Sequence, residues 1–414
     1  MNVNNRKEKS VVAIYGKIVS YKLICVVIGF LNSILINRCL GVALRGEYTT
    51  ITNWVSLLQL FLNLGIGTAY PAFKRRYPEQ GKIIFSTLTL VVAIFYLVVA
   101  VVLFPFVSTS TRFIIAIALL TTVENLLIFI AIVEDVSKRN AINIVTSCIH
   151  TGVLCLVFFF FRKNLFLVLA AIIFDHLVLC CSFVYLYRLK EINFNLITKK
   201  LLKEILIIAI PAMLMNMLMY LNYHADVLFL SEITKNNVEV GLYGTAVTLG
   251  NMLWIVPDAF KDILYNRATK KDNPDEVIIA IICNFLLCIV ILIGFVILGK
   301  WFLNFMYGQE FVAAYPLVLM LFVGTLPMVL YKLIHPIYIA NGKTKVVVIL
   351  LAIAVASNFV GNLILIPKFE GMGAATASVI SYSICGVAFY LKFTKDYSVK
   401  VLLSIKSVLK RMKK

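Results

Sequence analysis

Ten ionisable side chains interrupt stretches of this sequence that are otherwise apolar: Lys17, Lys22, Glu124, His150, Asp175, His176, His224, Asp226, Lys332 and His335. Charges in a hydrocarbon setting are costly. They face a protein interior or a water-filled path and take partners there. The cations suit an anionic ligand. Lys22 shares a helical face with Tyr15, Gly29 and Ser33, and its place near mid-span makes it a candidate substrate-binding cation in a lumen. Lys17 is five residues away and points well off that face; it either adds to the site or snorkels to the surface. Lys332 and His335 are three residues apart and share a face. Together they could hold a phosphate, with lysine acting as a point charge, although His335 could equally reach for lipid headgroups. The carboxylates suit a proton or a sodium ion. Asp226 lies on a broad face with Asn216, Tyr220 and Tyr223. It is either an ion-responsive group or a hydrogen-bond partner of a neighbouring helix. Glu124, Asp175 and His224 are further candidates for ion coupling or lumen charge.

The search for catalysis finds no motif. Gly342-Lys343-Thr344 resembles the end of a P-loop, but the glycine required five residues earlier is Ile337, so no nucleotide is implied. No Cys-x-x-Cys pair, H-E-x-x-H or G-x-S-x-G occurs, and no cofactor or metal is expected. The nine cysteines are odd in number and fall mostly within apolar segments, where they read as small buried residues rather than a disulfide framework. No stripe of arginines on one helix marks a voltage sensor.

The elements that must position these groups follow from hydropathy. The chain is 61% hydrophobic and 14% charged, against about 25% charged in soluble domains. Apolar segments of the length that crosses a ~30 Å hydrocarbon core as a helix fall at 11–36, 46–70, 83–106, 113–133, 141–161, 165–187, 204–230, 239–260, 277–299, 313–340, 345–366 and 372–391. The reading is an all-α integral membrane protein of twelve transmembrane helices. Of the 39 Lys and Arg residues, 28 lie on one alternating set of connections and termini, 8 on the other, and 3 within spans. The positive-inside rule puts the rich side, with both termini, in the cytoplasm. The net charge of +19 is thereby assigned to loops that face anionic lipid, not to nucleic acid. Arg6, Lys7 and Lys9 precede a first segment that is too long for a cleaved signal and contains Lys17 and Lys22; it reads as a retained helix.

The connection at 191–203 is expected to separate an N-terminal six-helix lobe (1–190) from a C-terminal one (204–395), followed by a basic tail (396–414). A faint echo supports a repeat. Gly46-Glu47-Tyr48 and Gly241-Leu242-Tyr243 stand 195 residues apart, and the same offset places Arg75 and Arg76 on Lys270 and Lys271. Equal span numbers entered from the same side would make these parallel repeats. Pro211, Pro257 and the trio Pro316, Pro327 and Pro336 are expected to kink their spans, and three prolines in one span suggest a bent or segmented helix.

Three ordered segments resemble the polysaccharide branch of the multidrug/oligosaccharidyl-lipid/polysaccharide exporter superfamily, most closely the O-antigen flippases. Arg38-Cys39-Leu40-Gly41 with Arg45-Gly46-Glu47-Tyr48 is similar to that branch's R-x-L-G-x-x-x-R-G-E-Y. Asp226 followed by Val240-Gly241-Leu242-Tyr243-Gly244-Thr245-Ala246 is similar to its D…V-G-x-Y-x-x-A. Asn358 to Pro367 with Gly371-Met372-Gly373-Ala374-Ala375-Thr376-Ala377 is similar to its N-x-x-L-I-P…G-x-x-G-A-A-x-A. The resemblance implies two six-helix lobes forming a V-shaped, alternating-access transporter. It implies a substrate of undecaprenyl pyrophosphate carrying an oligosaccharide, and it brings in polysaccharide polymerase and chain-length regulator as candidate partners. Where that branch often carries an arginine two positions before the aspartate, this chain has His224, which allows a pH-sensitive cation. A cation-coupled multidrug exporter of the same fold would favour an acidic, aromatic cavity. A membrane polymerase or ligase would need a large extracytoplasmic loop, and no connection here has that length. The bacterial inner membrane is the expected location.

The charge asymmetry makes a direct prediction. Reporter fusions after Lys200 and Lys414 should behave as cytoplasmic, and fusions near Lys235 as periplasmic; a periplasmic signal from the C-terminal fusion would sink this topology.

Overall fold

The computed structural model describes the backbone of residues 2–189, 191–268 and 274–397, and side chains from residue 21 onward within those ranges, apart from 22, 23, 262, 263, 266 and 267. The side chains of Lys17 and Lys22, and most of the tail 396–414, therefore lie outside the described residues. Among those described the chain is helical, with no strand.

Long apolar runs dictate this. In lipid, each backbone N–H and C=O must be paired within its own segment, which a helix accomplishes. The helices are α1 (Asn2–Asn63), α2 (Tyr70–Arg76), α3 (Gln80–Leu103), α4 (Thr109–Glu134), α5 (Val136–Phe160), α6 (Leu165–Leu186), α7 (Lys199–Thr234), α8 (Asn237–Leu253), α9 (Ile255–Ala268), α10 (Pro274–Tyr307), α11 (Tyr315–Ala340) and α12 (Thr344–Tyr397). Among the described residues nine helical stretches are long and apolar enough to cross a membrane, ten when the bent pair α8–α9 is included. Two of the ten double back, which gives the twelve passes expected.

The reversal in α12 falls at Glu370 (φ 46°, ψ −125°). Beyond it the helix returns alongside itself: Ser381 donates to the Ala354 carbonyl at 2.8 Å, and Asn358 donates to Ser378 at 3.5 Å. The two paired positions approach the turn from opposite sides, as an antiparallel hairpin requires. The reversal in α1 falls at Gly41 (φ 71°), a left-handed conformation that glycine adopts without steric cost. Before it, Thr151 donates to Asn32 at 2.7 Å, and the Lys163 N–H donates to the Cys39 carbonyl at 2.9 Å. These contacts run the first arm parallel to α5. After it, the contacts of Asn63 with Asn125 (2.7 Å) and of Tyr70 with Glu134 (2.5 Å) run the chain parallel to α4.

The chain divides into two compact units, Met1–Gly41 with Ile51–Leu214, and Val42–Thr50 with Met215–Lys414. The division falls within α7, three residues after Pro211. In the first unit Tyr70, Phe73, Phe85, Leu127, Ile130 and Phe183 form the core, with Tyr70 and Phe85 edge to face at 5.1 Å. Lys74 and Arg76 pair with Glu134 (2.8 Å) and Glu204 (2.9 Å) at its rim. In the second unit α11 is the most deeply buried of the long helices described. The trio of prolines does not segment it. Pro316 occupies its first turn, where the missing N–H costs nothing, and Pro327 and Pro336 sit inside one continuous helix.

The 195-residue echo has a structural counterpart within the second unit. A Cβ on Gly46 would lie 1.8 Å from the Asn237 carbonyl oxygen, and one on Gly241 would lie 2.1 Å from the Val42 carbonyl oxygen. Val42 and Asn237 are themselves 195 apart, as are Thr49 and Gly244, which also touch. Positions related by the 195-residue offset thus meet reciprocally, and glycine is required because the backbones approach without room for a side chain. Gly241→Val should therefore destabilise the folded protein by about 1–3 kcal/mol, as overpacking does. Thermal unfolding of purified protein checks this, and an unchanged melting temperature would discount the contact.

Candidate functional site

In the second unit the site is built by a bend. α8 ends at Trp254, and α9 departs at 40°. Pro257, in the first turn of α9, lacks the N–H an uninterrupted helix would use. The bend brings the Trp254 ring and the Asp258 carboxylate to Lys332 on α11. Lys332 Nζ donates to both carboxylate oxygens, at 2.9 and 3.0 Å. It also lies 4.6 Å from the Trp254 ring and 5.6 Å from the Tyr223 ring, which adds cation–π attraction in a desolvated setting. Lys261, one turn along α9, is 3.3 Å from the same carboxylate. The side chain of Lys332 is 7% exposed and that of Asp258 39% exposed. Tyr223, Trp254 and Tyr382 pack on one another with ring centroids 4.6–6.0 Å apart.

His335 does not reach for headgroups. It is buried, stacks on Tyr331 at 4.6 Å, and places Nδ1 3.0 Å from the Tyr331 carbonyl. Its hydrogen bond is thus to its own helix, while the charge of Lys332 is engaged by Asp258.

Asp226 is 1% exposed. Its carboxylate accepts from the Tyr243 hydroxyl, from Ser378 at 2.6 Å and from the Val227 N–H at 2.8 Å. Further polar contacts extend this arrangement: Asn362 donates to Asn358 (2.8 Å), and Ser381 donates to Asn222 (2.6 Å). Of the two roles open to Asp226, these contacts supply the hydrogen bonding between helices, here α7, α8 and the returning arm of α12. His224 is half-buried and stacks on Tyr220 at 4.9 Å.

The first unit has its own charged cluster. His176 Nδ1 on α6 hydrogen-bonds the Glu124 carboxylate on α4. Both line a cavity of about 210 Å³ together with Val55, Ser56, Gln59, Thr121, Asn125 and Ile128. Asp175 is close enough to interact electrostatically with both members of this pair, and His150 with His176 and Asp175. A carboxylate–imidazole pair beside a polar cavity can hold a proton or a small cation.

The structure thus joins Glu124 with His176 and Asp175, and Lys332 with residues that sequence reasoning passed over. Asp258 and Trp254 were missed because the partner lies 74 residues away along the chain. The available signal was an acid directly after a span-breaking proline. The recurring glycines and Tyr243 also acquire physical reasons: Gly41 turns the chain, Gly46 and Gly241 admit close backbones, and Tyr243 donates to Asp226.

Solved structures with this fold include an inward-facing multidrug resistance MATE family transporter of the MOP superfamily (12% identity, 92% of this chain and 96% of that one, TM-score 0.70). They also include the lipid II flippase MurJ in an inward closed conformation (13% identity, 92% and 87% covered, TM-score 0.65) and the eukaryotic MATE transporter AtDTX14 (13% identity, 98% and 99%, TM-score 0.59). At these identities the likeness is one of fold alone; the apolar helices themselves give a multi-pass membrane protein. Residues 15–256 match the family described as polysaccharide biosynthesis protein, and the chain belongs to that family. Comparison with curated proteins finds no match.

Asp226→Leu should lower stability by about 3–5 kcal/mol, because it strands the donors of Tyr243 and Ser378 in a dry interior. Thermal unfolding in detergent measures it. A variant as stable as the parent would show that the carboxylate is not needed for packing.

Proposed function

We propose that this protein is a flippase that carries undecaprenyl-pyrophosphate-linked oligosaccharide repeat units across the bacterial inner membrane by alternating access, for O-antigen or another surface polysaccharide. Membership of the polysaccharide biosynthesis family supports the class of pathway. The observation that carries the substrate reading is Lys332, a buried cation bordered by Trp254 and Tyr223. A pyrophosphate offers several charged oxygens to such a cation, and an isoprenoid tail can stay in lipid meanwhile. Lys22 and Lys17 are proposed as further substrate-binding cations on the strength of their places in the first span, with His335 supporting Lys332 from the next turn. Coupling to an ion gradient is assigned to Glu124, His176 and Asp175 in the first unit and to Asp226 and His224 in the second. Both termini are taken to be cytoplasmic, and a polymerase and a chain-length regulator are the partners this pathway would supply.

Deleting the gene should abolish display of the surface glycan while lipid-linked repeat units accumulate inside the cell. Intact glycan with raised drug sensitivity would favour a multidrug exporter instead; a strain without related flippases is required. In the same assay Lys332→Ala and Lys22→Ala should reduce display about tenfold or more at normal protein levels, as loss of a charge-assisted contact does. Lys22→Arg should keep part of the activity. Full display by a well-expressed Lys22→Ala variant would remove Lys22 from the site.

A further inference from the structure

We propose that Asp258 is an internal stand-in for the substrate's phosphate: it neutralises Lys332 while the site is free, and an incoming pyrophosphate displaces it onto Lys261. This rests on the flippase reading above and adds how the site stays poised without substrate.

The first argument is the asymmetry of the pair. Lys332 is 7% exposed and Asp258 39%. A buried ammonium without an anionic partner carries a large desolvation penalty, so Lys332 needs a counter-charge at all times. Asp258, far more exposed, can leave at lower cost. The pair is therefore held by the needs of the lysine, and any better anion can replace the carboxylate.

The second argument is that Asp258 already has somewhere to go. Its Oδ1 is shared between Lys332 at 2.9 Å and Lys261 at 3.3 Å. Lys261 is 30% exposed and one turn away on the same helix, a spacing at which side chains meet readily. A small rotation of the Asp258 side chain keeps one ion pair while surrendering the other.

The third argument is a surplus of donors. The Tyr331 hydroxyl and the Trp254 indole N–H are buried and the Tyr223 hydroxyl is inaccessible; none has a protein partner among the described residues. Tyr223 and Tyr331 are both near enough to Asp258 to feel its charge. A carboxylate has two oxygens, and here both face Lys332. A pyrophosphate has more acceptor oxygens and more charge, so it can satisfy Lys332 and take bonds from these donors as well. Asp258 thus makes the site selective: an anion weaker than the internal carboxylate does not open it.

The test uses the full-length protein in nanodiscs and inorganic pyrophosphate as the probe, with undecaprenyl pyrophosphate as a second one. Asp258→Asn should bind pyrophosphate about tenfold more tightly than the parent, and Lys332→Met should lose binding in either background. Parental or weaker affinity in Asp258→Asn, with the parent itself binding, overturns the stand-in role and leaves the flippase reading intact. If neither protein binds either probe, both ideas fall. A merely structural Asp258 would lower the melting temperature of the variant without any gain in affinity, which also overturns the proposal. Should Asp258→Asn not fold, Lys261→Gln asks the same question in reverse. Without its second partner the carboxylate stays on Lys332, so pyrophosphate should bind several-fold more weakly, and unchanged affinity overturns the proposal.

Discussion

A single buried carboxylate organises the second half of this protein. Asp226 is buried and is held by Tyr243, Ser378 and the Val227 N–H. An ionised group in such a place is tolerated only when its acceptor sites are filled. Those donors stand on α8 and α12, so filling them sets where both helices sit against α7. The close approach this demands is met by small residues. Gly241 and Gly244 on α8 leave room for the segment Val42–Thr50, and the returning arm of α12 is rich in glycine and alanine.

Against that saturated centre, the pair of Lys332 and Asp258 looks different. Asp226 is closed to solvent and has its partners fixed by three helices. Asp258 is far more exposed, shared between two lysines, and next to aromatic donors without a protein partner among the described residues. One arrangement builds structure. The other is the pair proposed above as a ligand site, with donors left over among the described residues. The placement of Lys332 on the most buried helix matters here, since a lysine at a lipid-facing position would snorkel to the interface. The bend at Trp254 keeps Asp258 and the indole within reach of it.

The passes and the approximate bounds of most helices were legible in the sequence. Hydropathy over about 20 residues reports the one requirement lipid imposes, internal pairing of every backbone polar group. The role of Gly41 was legible only as part of a motif, and its reason emerged from a left-handed φ. The offset between Gly46 and Gly241 was a faint echo in the chain; in three dimensions it became a contact repeated at Val42 with Asn237 and at Thr49 with Gly244. Pro316, Pro327 and Pro336 pointed to a bent or segmented helix; α11 is one continuous helix, with Pro316 in its first turn and Pro327 and Pro336 inside it.

What the sequence by itself determined was which residues are expensive to bury, hence which had to find partners: Lys332, His335, Asp226, Glu124 and Asp175 stand out on cost alone. What only the tertiary structure decided was who those partners are. Lys332 meets Asp258, Glu124 meets His176, and Asp226 meets Tyr243 and Ser378, each pair on separate helices. Periodicity along one helix reports the face a side chain occupies. It carries no information about which other helix, at what height and rotation, is packed against that face, and the pairing of charges depends on that packing.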